Sequence, residues 1–393
     1  MLTPALSMTV PVITLLPECG DFTKTVQPYL PELYALPQKV FERIDDLNAL
    51  KELYLSTNPL IAALAFVLFL APVVLIVSEV NKNYSQVDRL WSIVPAILIG
   101  HYTMWAHLMG LPTQRLNHVM ALSMLWGIRL TYNYWRKGGY QIGTEDYRWA
   151  IVKDYTGPTV MFIFNVTFIS FGQCMLLWLI TTPTYILLLS GRIIGDELTT
   201  YDSAFSKIMF FLVIIEFFAD QQQWNFHQAK AKYRESAKVP QEYRYTQAQL
   251  DRGFNTSGLW AYSRHPNFAA EQAFWVCLYQ WSCCESFTFM NWTFAGAMSY
   301  LLLFQASTWL TELITSGKYP EYKLYQLRVG KFLPKTRTKS MDDPKTEKEK
   351  KAMGINEEKE KAIKETAAKL TKSGRTSKKV KRGNASSSAA YGQ

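Results

Sequence analysis

Gly258-Leu-Trp-Ala-Tyr-Ser-Arg-His-Pro-Asn-Phe-Ala-Ala-Glu-Gln-Ala-Phe-Trp275 is polar and basic in its first half and apolar in its second. The join is Ser263-Arg264-His265-Pro266-Asn267. Proline suits the first turn of a helix, where its missing N–H is no loss, so a helix is expected from Pro266 with His265 at its cap. Open backbone N–H groups at such a start, beside Arg264, favour an anion such as phosphate. Asn267 and Glu271 are four residues apart and share one face. The run then passes through Phe274, Trp275, Val276 and Leu278. That is membrane character, in which an ionisable Glu271 points to a functional site. A plainer reading stands beside it, with Arg264 on lipid headgroups and Glu271 reaching the interface.

Outward from this stretch, long apolar runs recur. Aromatics make up 14% of the 393 residues, and mean hydropathy is near zero only because a polar tail dilutes the runs. Continuous runs predict spanning helices, whereas a barrel needs alternation. The expected fold is all-α, a polytopic membrane helix bundle of about seven spans with a disordered basic C-terminal tail. The spans are expected near Pro59–Val77, Leu90–Met109, Leu116–Trp135, Thr159–Ile180, Ala204–Ala219, Pro266–Cys284 and Asn291–Leu313. Pro183–Ser190 is too short to cross and reads as an extension or re-entrant piece. Three regions follow: an N-terminal polar segment, 1–56, with one amphipathic helix around Pro31–Tyr54; a membrane domain, 57–335; and a Lys/Glu-rich tail, 336–393.

The formal net charge is +10, and nearly all of it lies from Lys335 onward. The body carries no basic stripe of the kind that binds nucleic acid. With seven spans and a cytosolic C-terminus, the Lys/Arg-rich loops (Lys82, Arg136–Lys153, Asp220–Arg264) all face the cytosol and the N-terminus faces the lumen. The glycosylation sequons at Asn83, Asn255 and Asn384 then face the cytosol too. None of the five cysteines forms C-x-x-C, and the five histidines are scattered. Neither a disulfide framework nor a metal site is expected. With no G-x-G-x-x-G and no P-loop, a nucleotide needs some holder other than a Rossmann domain.

Several polar residues sit where membrane helices rarely tolerate them. Arg129 lies mid-run in the third expected span and Arg136 at its end; each faces the bundle interior or reaches for the interface. Glu216 and Asp220 are one turn apart, with Gln223 a turn further on. They suit ribose hydroxyls or an amide, or they mark the end of a span, and Asp88 allows the same two readings. Tyr319, Tyr322 and Tyr325 repeat every three residues, as an interfacial belt would.

The string SRHPNF followed by Glu271 resembles the RHPNY-and-acid motif of the steroid 5-alpha-reductase and sterol-reductase superfamily, in particular its DUF1295-type branch of membrane proteins. The resemblance implies an NADPH site made by Arg129, Arg136, Glu216, Asp220, Arg264, His265, Asn267, Tyr319, Tyr322 and Arg328. Glu271 would be a buried structural partner or a proton relay. The tyrosine that activates the carbonyl in steroid reductases falls at Trp126, which has no hydroxyl. Phe268 stands for the motif's Tyr and Ala270 for its Gly. The implied activity is NADPH-dependent reduction of a carbon–carbon double bond in a lipid or sterol-like substrate, in the endoplasmic-reticulum membrane. Two alternatives remain open. One is a SAM-dependent methyltransferase of isoprenylcysteine type, which shares a looser RHP element but favours paired acids before Tyr319, where only Glu312 stands. The other is a non-enzymatic membrane protein that keeps the fold, in line with Trp126 and Ala270.

Overall fold

The computed structural model describes residues 9–335 and 339–343. Among these residues the regular structure is helical, with no strand and one isolated bridge between Ser263 and Gly330. The rest of the tail lies outside the described residues.

Apart from shorter helical turns, the α-helices are α1 (Leu30–Phe41), α2 (Leu47–Ser56), α3 (Pro59–Asn81), α4 (Val94–Leu108), α5 (Gln114–Arg136), α6 (Tyr147–Phe164), α7 (Gln173–Leu179), α8 (Pro183–Ile194), α9 (Thr200–Ser236), α10 (Gln247–Arg252), α11 (Pro266–Glu285), α12 (Phe294–Lys318) and α13 (Tyr322–Arg328). A π-helical stretch, Asn165–Gly172, joins α6 to α7. Among the described residues two helical stretches are long and apolar enough to cross a membrane, Pro59–Asn81 and Tyr147–Ile194. The other five expected spans are largely helical as well, but length or polar content keeps them below that standard. The 15 residues of α4 rise only about 22 Å, against a hydrocarbon core of about 30 Å. Arg115, Arg129 and Asn133 are buried along α5.

Local chemistry explains where the elements differ from expectation. The single amphipathic helix expected around Pro31–Tyr54 is two, because Asp46 caps α2, its carboxylate accepting from the N–H groups of Asn48 and Ala49. The expected loop Arg136–Thr156 gives way to α6 at Tyr147, with Asp146 as its cap. Gly157, at φ 76° and ψ 172°, then kinks that helix just before Pro158. The fifth expected span does not end near Ala219; α9 runs on through the glutamines to Ser236.

The chain divides into two units. The first is Met1–Val213 with Gln272–Leu301, and the second is Ile214–Glu271 with Leu302–Gln393. In the first unit, α5 packs closely because Gly127 lacks a side chain: a Cβ there would lie 2.7 Å from the Ser92 carbonyl oxygen. One cluster of buried charges is paired. Arg115 donates to both carboxylate oxygens of Asp202 (2.8 and 2.9 Å) and lies 3.6 Å from Glu285. Asp88 accepts from the Trp149 indole (2.8 Å). Trp126 is fully buried, 5.0 Å from Trp275 and 6.2 Å from Phe274 between ring centres.

In the second unit, α12 and α13 surround an aromatic cluster that includes Phe254, Tyr319, Tyr322 and Tyr325. Met341, counted with the tail from the sequence, is buried in this cluster. Its segment is pinned there by Arg252, which donates to the Met341 carbonyl (3.1 Å) and to Asp342 (2.8 Å), and by Arg328, which donates to the Ser340 carbonyl (2.7 Å).

Candidate functional site

The second unit holds a cavity with about 530 Å³ of empty space, mouth included. Its wall brings together separate parts of the sequence: α9 at Gln223 and His227, the 253–268 stretch, and α12 with the turn after it. The stretch Gly253–Asn255 begins where α10 ends at Arg252. Gly253 has φ +86°, and a Cβ there would lie 2.4 Å from the Tyr319 ring, so no larger residue fits. Lys230 fixes this turn from α9 by donating to the Gly253 carbonyl (2.8 Å).

The Arg264 and His265 side chains line the cavity, but both are already engaged. Arg264 grips Glu312 through Nε (2.6 Å) and Nη2 (3.1 Å), and its Nη1 donates to the carbonyls of Gln326 and Val329. His265 Nε2 lies 3.0 Å from the same Glu312 carboxylate. The backbone N–H groups of Arg264 and His265 donate to Gly330 (2.9 Å) and Lys331 (3.1 Å). The N–H groups at and just before the cap are thus held by residues 330–331, and in the first turn the Phe268 N–H donates to Asn267 Oδ1 (2.9 Å). Sequence could not reveal this, since Glu312 lies far along the chain. A buried guanidinium needs a carboxylate partner, and the fold supplies one.

Asn267 and Asp220, both expected at the site, are paired: Asn267 Nδ2 donates to Asp220 Oδ1 (3.0 Å). Asn267, Tyr319 and Tyr322 line the cavity. Glu216 and Glu271 belong to the same unit and are buried. Arg328, also in this unit, holds the Ser340 carbonyl. Trp126, Arg129 and Arg136 belong to the first unit. There Arg129 is buried and Arg136 lies over the Tyr132 ring at 5.3 Å.

No sequence signal marks Asn255, His227 or Trp260 as cavity residues: Asn255 reads as a sequon, and Gln223 lies one turn after Asp220 in a polar run. Trp260 donates from its indole to the Ala219 carbonyl (3.1 Å), which ties the stretch before the Arg264 turn to α9.

The electrostatics gather around Tyr319. Burial raises its phenol, yet Lys230, Lys318 and Arg234 outweigh that effect and hold it below its ordinary value. Burial pulls the Lys230 ammonium down to about 8. The Lys230 ammonium also lies 5.5 Å from the Phe226 ring centre and 5.8 Å from that of Tyr319. Lys318 and Arg234 are exposed. Chemically, the cavity offers aromatic faces, amide groups and adjacent cations.

A family model described as "Protein of unknown function (DUF1295)" matches residues 74–329. An uncharacterized protein of Schizosaccharomyces pombe is 36% identical over 330 residues, covering 84% of this chain and 94% of its own length. No solved structure matches the chain.

Proposed function

The chain belongs to the DUF1295 family, and from that premise we propose an NADPH-dependent membrane reductase of the steroid 5-alpha-reductase-like type. Its substrate is a lipid or sterol-like molecule carrying a carbon–carbon double bond. The observation that carries this reading is the cavity, whose wall joins the Arg-His-Pro-Asn element to Tyr319 and Tyr322. Its largely aromatic lining with a few polar side chains has the composition of a small-molecule site.

The residues fit such a cofactor in a different distribution from the one the motif suggests. Arg264 and His265 act as the frame, because Glu312 occupies both. The cations free of that frame stand around Tyr319: Lys230, Arg234 and Lys318. They would neutralise phosphate. Asn267, steadied by Asp220, would orient a polar group of the cofactor. Phe254 and Tyr319, 5.8 Å apart between ring centres, offer faces for a planar ring. Bound NADPH supplies a hydride; the protein supplies orientation, charge and exclusion of water. Glu271, one turn from Asn267 on α11, is a buried carboxyl suited to proton relay.

The same proposal places the chain in the endoplasmic-reticulum membrane with seven spans, lumenal N-terminus and cytosolic C-terminus. The two apolar helical stretches and the Lys/Arg-rich loops support it.

The test is titration of detergent-purified full chain with NADPH and, separately, with S-adenosylmethionine. Binding of NADPH at micromolar concentrations is expected. Folded, monodisperse protein that ignores NADPH and binds S-adenosylmethionine would move the assignment to the methyltransferase class. Protein that binds neither would favour a non-enzymatic role.

A further inference from the structure

Three side chains of the cavity, Asn255, Gln223 and Tyr319, each keep one hydrogen-bonding atom unmatched, and the first two are neutral amides. Asn255 is 3% exposed. Its Oδ1 accepts from the Ser257 backbone N–H (3.1 Å) and from the Ser257 hydroxyl (2.9 Å). A backbone N–H can only donate, so the oxygen is the atom turned to Ser257. That leaves Nδ2 buried with no partner. Gln223 donates from Nε2 to His227 Nε2 (3.2 Å), which leaves Oε1 buried and unmatched. Both residues line the one cavity.

Neither atom is open to water, so solvent does not satisfy them. Each unmet buried group costs roughly 1–3 kcal/mol. Native proteins leave few such groups, and each needs a reason. Here one is a donor and the other an acceptor, in a wall that also offers the flat faces of Phe254 and Tyr319. A planar ring whose edge carries an acceptor beside an NH2 group would satisfy both at once, provided that the wall around the two atoms opens to admit it.

We propose that Asn255 and Gln223 read an amide-type edge, an acceptor beside an NH2, on a planar ring of the ligand held in this cavity. Asn255 donates to the acceptor and Gln223 accepts from the NH2. Ser257 is a positioning residue that fixes which end of the Asn255 amide faces inward. The inference rests on the cofactor reading above, since NADPH carries two such edges: the nicotinamide carboxamide and the adenine. It assigns the edge to residues outside the Arg-His-Pro-Asn element.

The experiment uses full chain in detergent and reads NADPH affinity by fluorescence. Asn255→Asp keeps the oxygen that Ser257 needs and removes the donor. Gln223→Met keeps the length and removes the acceptor. Two analogues separate the rings. One has 3-acetylpyridine in place of nicotinamide and lacks the carboxamide NH2; the other has hypoxanthine in place of adenine and lacks the ring NH2. Asn255→Asp is expected to weaken NADPH about tenfold or more in protein that stays folded, at a lower melting temperature because the new carboxylate is buried. One of the two analogues should bind wild type about tenfold more weakly than NADPH but bind Gln223→Met no more weakly than NADPH does. That coupling names the ring being read. Should Asn255→Asp fail to fold, Gln223→Met and the analogues carry the test alone. Wild type that binds NADPH and both analogues alike overturns the inference and leaves the reductase reading standing. Wild type blind to NADPH overturns the reductase reading. The same variants then meet S-adenosylmethionine, whose adenine has the same edge. Selective loss in them upholds the inference, and no binding of either ligand overturns it.

Discussion

The Arg264 node and the Asn255 wall belong to one unit and line one cavity, yet their polar atoms stand in opposite conditions. Around Arg264, Glu312 gathers the guanidinium, the His265 ring and Gln326, and two backbone carbonyls take the remaining arginine donors. Around Asn255 and Gln223, one donor and one acceptor have no partner. The difference follows from charge. A buried ion without a partner is too costly to keep, so the conspicuous residues are consumed by the fold. A neutral amide left unmatched costs far less and can wait for a ligand. Arg115 with Asp202 in the first unit follows the same rule. The motif that stands out most in the sequence is thus the frame, and ordinary amides form the receptive surface.

The largest effect should come from breaking the frame. Arg264→Ala strands the Glu312 carboxylate, and loss of one partner of a buried pair costs about 3–5 kcal/mol. A large fall in melting temperature is expected, with Arg264→Met/Glu312→Leu recovering most of it. If Arg264→Ala melts like wild type and loses only NADPH affinity, the node is a ligand clamp and the contrast collapses.

Lys230 sharpens the comparison as a cation tied to the receptive side. Its folded-state value near 8 lies below the ordinary 10.5. Between those two values the unfolded chain holds a proton that the folded protein has released. Stability should therefore climb from about pH 8 to pH 10.5, by up to about 3 kcal/mol. The depressed Tyr319 phenol acts in the same direction. Melting curves across this window should show the climb in wild type and a flatter profile in Lys230→Met.

Met341 tests whether the aromatic wall needs its backing. Met341→Ala opens a void behind Tyr319, Tyr322 and Phe254, expected to cost about 2 kcal/mol. A chain ending at Lys339 should lose at least as much. Wild-type stability and wild-type NADPH affinity in both would mean the segment merely rests on the surface.

The smallest effect belongs to Asn267. Removing its hydrogen bond to Asp220 should cost about 1 kcal/mol of stability. Turnover should suffer more than affinity, because misorientation is paid in rate. Stopped-flow reduction with saturating NADPH separates the two. An unchanged rate would place Asn267 with the frame alone.

Much of this was legible in the residues. Pro266 starts α11 as its chemistry requires, and the segments marked by apolar runs are helical. The cavity takes in Asn267, Tyr319 and Tyr322. Asn255 escaped notice because Asn-Thr-Ser reads first as a glycosylation sequon, and because an amide in a turn is a common turn residue. Only the paired demands of Ser257 and the surrounding burial single it out.

By itself the sequence determined the helical class, the apolar runs, and the group of residues that carry the family signature. Those are properties of composition and local spacing, set by backbone hydrogen bonding in an apolar setting. Tertiary structure alone decided which polar atoms are spent and which are spare. Glu312 meets Arg264, and Lys331 meets the N–H of His265, from far along the chain. Pairing at that range depends on how helices pack, which no local spacing encodes.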